Sequence, residues 1–208
     1  MKRMLFIAIL TATASACVEG SKPVQLIGAK PLSPTECGTR ADDVLEQYSG
    51  SLDYAASTHY FMSFGLFSPL VADDNSSEGT GFIGSEIIFN YESLGVKGTF
   101  KEESRPIYLV VDPGASPDES YVVIDLIGSE ARTKLDSLVP SAPDTMTLLA
   151  TFKIKGELAS GRSAETNEVT YPIELTRGQG CGENTTARPP VDYPCVNPGQ
   201  DGYGYQCL

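Results

Sequence analysis

Tryptophan is missing from this chain, and histidine occurs once, at His59. One imidazole excludes a multi-histidine metal centre within the chain, and any Ser-His-Asp arrangement would have to use His59. That residue stands among aromatics in a period-two stretch, where it reads as a packed or surface strand histidine. The patterns G-x-S-x-G and H-E-x-x-H are absent too. With them go the nucleophile elbow and the zinc-protease helix. No apolar run approaches the ~20 residues that a membrane-spanning helix needs. Basic side chains are scarce, 15 against 27 acidic, for a formal charge of −12. A surface of that sign repels nucleic acid and anionic headgroups, so neither is expected as a ligand.

What the chain does have begins at its start. Lys2 and Arg3 precede an apolar run over residues 4–10, and residues 11–16 turn to small side chains. This is the three-part layout of a bacterial secretory signal, expected to occupy residues 1–16. Ala14-Ser15-Ala16-Cys17 resembles a lipobox, in which the cysteine is lipidated and the chain is cut just before it. Ala14 stands where the usual residue is Leu, and the same residues fit an ordinary A-x-A cleavage site. Both readings cut after Ala16 and export the protein. Lipidation at Cys17 is the expectation carried forward, with the bacterial outer membrane or cell surface as the address and membrane attachment through that lipid. The residues left after cleavage suit one large domain or two small ones, and 41% hydrophobic residues suffice for a core.

Cysteine arithmetic agrees. There are five, Cys17, Cys37, Cys181, Cys195 and Cys207, and an odd number in an exported protein asks for a reason. With Cys17 lipidated, four remain for two disulfides in an oxidising compartment. Three pairings are open. The closeness of Cys195 and Cys207 favours joining them, which leaves Cys37 with Cys181. A structural zinc site is the rival, and it lacks any C-x-x-C spacing. No cofactor is expected.

Residues 17–40 are polar, with Pro23, Pro31 and Pro34, and read as a lipid-anchored tether. Period-two alternation then dominates residues 41–180. Tyr60, Met62, Phe64 and Leu66 share one strand face, while Phe61 and Phe67 lie on the other, so both faces of that strand are expected to be covered. Ile87, Phe89 and Tyr91 mark another strand, as do Ile107, Leu109 and Val111, and Val122, Ile124 and Leu126. One short helix follows, capped by Ser129, with Ala131, Leu135 and Leu138 on one face and Pro140 closing it. Leu148, Ala150, Phe152 and Ile154 then pair by pattern with Val169, Tyr171, Ile173 and Leu175 across a turn at residues 159–163. Pro172 restricts the second of these strands to an edge or a bulge. About seven strands, no βαβ alternation and one helix predict an all-β fold, an antiparallel immunoglobulin-like β-sandwich. Residues 181–208 form a Cys-, Pro- and Gly-rich tail, expected to be stapled by disulfide.

Several of these stretches also carry a resemblance. Tyr48-Ser49-Gly50-Ser51-Leu52-Asp53 with Tyr60, then Tyr171-Pro172-Ile173, then Cys195-Val196-Asn197-Pro198-Gly199-Gln200-Asp201 with Cys207, resemble uncharacterised exported lipoproteins of myxobacteria and related bacteria. The likeness weakens after the returning strand, where that family's closely spaced cysteines are reduced to Cys181. It implies an outer-membrane or surface lipoprotein and no reaction.

Chemistry-bearing clusters are few. Asp42-Asp43, Asp73-Asp74 and Asp118-Glu119 read as solvated turns. Asp73, Asp74, Asn75 and Glu78, or Asp112 with Asp118, offer oxygen ligands to calcium without EF-hand spacing. Asn75 and Asn184 open glycosylation sequons that a bacterial lipoprotein has no use for. Two functions remain: a non-enzymatic binding or structural module for an envelope protein or a glycan, and a secreted carboxylate-based hydrolase. The missing histidines and nucleophile motifs favour the first, with no catalytic residue assigned.

Overall fold

A computed structural model describes residues 22–38, 46–71, 81–182 and 185–208. The signal region, Cys17, the acidic residues at 42–43 and 73–78, Asn75 and Asn184 therefore lie outside the described residues. Among the rest, the chain is mostly β, with one short helix and two disulfides.

The smaller sheet has the order β1-β3-β6, from β1 (Gln25–Lys30), β3 (Phe61–Phe67) and β6 (Tyr121–Asp125), all antiparallel. Alternation in β3 works as its pattern requires: Tyr60, just before it, and Met62, Phe64 and Leu66 are all buried. Its other face is covered only in part, since Phe67 is 37% exposed. The strand β1 comes from the stretch expected to be a tether. Val24, Leu26 and Ala29 are buried in the core, so the folded domain already includes these residues.

The larger sheet has the order β2-β9-β7-β4-β5. Its spine is β4 (Phe82–Leu94) and β7 (Met146–Leu158), paired antiparallel over their whole length with a bulge between Gly84 and Glu86. The outer strand on one side is β5 (Glu103–Val111), and a short β8 (Ser163–Glu165) folds back on β7. On the other side lies β9 (Val169–Thr176), then β2 (Gly50–Asp53), which runs parallel to β9. The sheet is thus mixed, where a purely antiparallel one was expected. Pro172 also departs from expectation, because β9 is internal. It precedes Ile173, the first residue of the ladder with β2, a position that tolerates a missing N–H.

The sheets meet through aromatic rings. Phe64 on β3 packs edge-on against Phe152 on β7 with centroids 4.9 Å apart, and Phe89 on β4 lies 5.7 Å from Phe152. Each such buried ring contributes roughly 1.5–3 kcal/mol through area removed from water.

The helix α1 (Ser129–Leu135) buries Ala131 and Leu135 as its pattern predicts, but Ser129 is its first residue and Gly128 is the N-cap, with no side-chain cap of its own. The capping group comes from β5. Glu103, 5% exposed, accepts hydrogen bonds from Ser129 N at 2.8 Å, Ser129 Oγ at 3.3 Å and Glu130 N at 3.2 Å. A carboxylate at this end satisfies orphan amides and sits favourably in the helix field.

The tail is part of the fold. Residues β10 (Ala187–Arg188) and β11 (Gln206–Cys207) form a small antiparallel ladder. The disulfides are Cys37–Cys195 and Cys181–Cys207, correcting the expected pairing of Cys195 with Cys207 and Cys37 with Cys181. The backbone explains the exchange. Cys195 N donates to Pro34 O at 3.0 Å, which brings it beside Cys37, while the ladder places Cys207 opposite Ala187.

Candidate functional site

The tail docks where the edge of the large sheet meets the small one, and three of its side chains carry the docking. Gln200 behaves like a strand neighbour of Phe61: its Oε1 accepts from Phe61 N at 3.1 Å and its Nε2 donates to Phe61 O at 2.7 Å. Asn197 donates through Nδ2 to His59 O and accepts from Ser57 Oγ at 2.8 Å. Asp201 accepts from Ser51 N at 2.9 Å and from the Tyr60 hydroxyl, 2.9 Å from both of its oxygens. Its backbone N–H also donates to Ser51 O at 2.8 Å. A left-handed turn makes this possible, with Gly199 at φ 74° and Asp201 at φ 51°. Glycine meets the first demand freely, and aspartate is among the few side chains that tolerate the second.

Beneath Asp201 lies a buried hydroxyl pair, Tyr60 Oη and Tyr171 Oη, 3.3 Å apart. Burial, then the charge of Asp201, pushes the Tyr60 phenol far above the usual tyrosine range. Burial also raises Tyr171, to about 12, with the Tyr60 hydrogen bond pulling the other way. Gln47 reaches the same pair, its Nε2 3.4 Å from Tyr60 Oη. Gly50 is required here, because a Cβ would lie 1.7 Å from that oxygen.

Above the pair opens a groove of about 530 Å³, lined by Gln47, Ser49, Gly50, Ser51, Thr147, Pro172, Glu174 and Asp201. Sheet register builds its floor: Ser51 stands beside Glu174 on β9, and Glu174 opposite Thr147 on β7. Tyr48, between two of the lining residues but not among them, is 74% exposed, and its hydroxyl donates to Glu46. Carboxylate, amide and hydroxyl groups thus line one concavity. Such a set binds hydroxyl-rich ligands by exchanging hydrogen bonds.

His59 lies outside this groove and two residues before β3 begins, not mid-strand. Its Nδ1 is 2.7 Å from Asp125 Oδ2 and 2.9 Å from Arg132 Nη1, and its ring stacks on Phe61. Arg132 Nη1 also donates to Asp125 Oδ2 at 3.1 Å and to Ile127 O at 2.7 Å. Asp125 Oδ1 accepts from the backbone of Tyr60 and Ile127. This network ties the end of β6 to α1. Ser57 makes its hydrogen bonds to the His59 backbone and to Asn197.

Among the sites read from sequence, the structure brings all four tail and domain cysteines into disulfides. Among the described residues, no group of three or more His, Cys, Asp or Glu is placed to hold a metal ion. Asp118 faces Lys30 at 3.9 Å, and its side chain is mostly exposed. Sequence reasoning missed Gln47, Glu103, Asp125, Arg132 and Glu174. Gln200 and Asp201 stood inside a quoted motif, but their partners lie more than a hundred residues away.

No family model, no curated protein and no solved structure matches this chain.

Proposed function

We propose that this is a lipid-anchored protein of a bacterial envelope, held by a lipid on Cys17, and that it is a non-enzymatic module binding a glycan in the groove between β2, β9 and β7. The observation that carries the reading is that groove: Gln47, Ser49, Ser51, Thr147 and Glu174 supply both donors and acceptors. Asp201 already holds Ser51 and Tyr60, so its role is to shape the groove wall. The export signal, the odd cysteine and the resemblance to exported lipoproteins support the address.

At the level of fold family, strand order supports an immunoglobulin-like sandwich. The order β1-β3-β6 corresponds to A-B-E, and β9-β7-β4-β5 to G-F-C with one added strand. Phe64 on β3 and Phe152 on β7 touch across the sheets where that fold often carries a disulfide, and Phe89 on β4 packs beside them in the place of its tryptophan.

Titrating the purified domain with neutral, acidic and amino-sugar oligosaccharides tests the function. Binding is expected for at least one class. Glu174→Gln, an exposed change, should weaken it about tenfold or more, the loss of one charge-assisted hydrogen bond of about 1.5–3 kcal/mol. No binding by any class, or binding indifferent to Glu174→Gln, removes the reading.

A further inference from the structure

The two ends of the sandwich lie at different distances from the expected anchor at Cys17. The chain enters at Lys22 and Pro23, pinned by Lys22 Nζ to Glu165 Oε1 at 2.9 Å and by Ser68 Oγ to Pro23 O at 3.2 Å. Other segments gather at the same end: Ser68 N donates to Ala115 O, Ala115 N to Asp112 O, and the β7–β8 turn closes with Leu158 N on Arg162 O. The groove is at the opposite end. Glu165 stands beside Lys155 on β7, and Glu174 beside Thr147 on the same strand. Eight residues of strand place those rows roughly 25 Å apart at about 3.3 Å per residue.

From Cys17 to Lys22 the chain spans five residues, at most roughly 18 Å fully extended. A leash anchored in lipid and shorter than the distance between the rows does not let the sandwich stand upright on its groove end, which would hold Lys22 about 25 Å above the bilayer. Phe67, Ile83 and Val110 are exposed at the entry end, 37%, 44% and 51%. Lys22, Lys153, Lys155 and Arg162 lie there as well, interleaved with Glu157, Glu165 and Glu168, and Glu165 accepts from two of the lysines. The groove end carries Asp53, Glu174 and Asp201, and Leu94 is exposed there opposite Thr147.

Resting on the lipid-anchor reading, we infer that the entry end of the sandwich lies against the bilayer and that the groove faces away from it, toward polymers beyond the membrane surface. Phe67, Ile83 and Val110 at the near end suit the interfacial layer, where rings and alkyl chains are buried at headgroup level.

Acylated protein in phosphatidylethanolamine–phosphatidylglycerol vesicles carrying nitroxide headgroups tests this. With Cys17 acylated and the other four cysteines in disulfides, an introduced cysteine is the sole free thiol to label. Fluorophores on Val110→Cys and Ser163→Cys should be quenched several-fold more than fluorophores on Glu92→Cys and Glu174→Cys. Equal quenching, or the reverse order, in protein that floats with the vesicles and carries acyl mass on Cys17 overturns the orientation alone. Protein that lacks acyl mass and does not float overturns the anchor reading, and the orientation with it.

Discussion

At the scale of single residues, the most consequential side chain is one that composition hides. Glu103 opens β5 as one acid among 27, yet it is buried and holds the first turn of α1 from another element. Removing this buried carboxylate takes the acceptor from the Ser129 and Glu130 amides, which costs more than removing a surface charge would. Glu103→Ala is expected to destabilise the domain by about 2–4 kcal/mol, since hydrogen bonds to charged groups each contribute ~1.5–3 kcal/mol. Glu103→Gln should fall between, because an amide oxygen can still accept but its NH₂ faces donors. Urea unfolding of the three proteins gives the order, and an alanine variant as stable as the parent would remove Glu103 from the capping role.

At the scale of elements, the tail behaves as a clasp across two sheets. Its footing is the Tyr60–Tyr171 pair, which burial keeps protonated beyond the ordinary tyrosine value of 10.0. A group whose folded pKa is raised contributes stability that is present below its unfolded pKa and lost as pH rises through the folded value. Stability should therefore hold up to pH 10 and fall between there and about 12, where Tyr171 ionises in the fold. Urea midpoints across that window, read with tyrosinate absorbance, check it. Tyrosines that all ionise near 10 without loss of stability would contradict the buried pair.

The same scale shows what the sequence discloses. Strands β3, β4, β6, β7 and β9 were legible because period-two alternation is local, and so was the buried face of α1. The strand β1 was not, since three prolines and a polar composition masked Val24, Leu26 and Ala29. Pro172 misled because a strand's place in a sheet is set by non-local pairing. The groove was illegible for the same reason: Ser51, Thr147 and Glu174 become neighbours only through the parallel β2–β9 ladder and the β7–β9 ladder.

At the scale of the whole molecule, two covalent links join distant parts of the chain. Cys37–Cys195 closes a separation of 158 residues and Cys181–Cys207 one of 26. On the chain-entropy model these contribute ~5 and ~3.5 kcal/mol, so the long link matters more. Replacing Cys37 and Cys195 by serine should lower the unfolding free energy more than replacing Cys181 and Cys207, and equilibrium denaturation ranks them. A non-reduced digest that recovers Cys195 joined to Cys207 would overturn the arrangement.

Everything proposed about address, orientation and groove exposure depends on Cys17. Three acyl chains there, at ~0.8 kcal/mol per buried CH₂, would hold the protein on a membrane permanently without a spanning helix. The direct measurement is the mass of the N-terminal peptide from protein isolated from its own envelope. A chain beginning at Cys17 with a diacylglyceryl thioether and an N-acyl group is the expected result. A chain beginning at an unmodified Cys17, soluble in the culture medium, would contradict it.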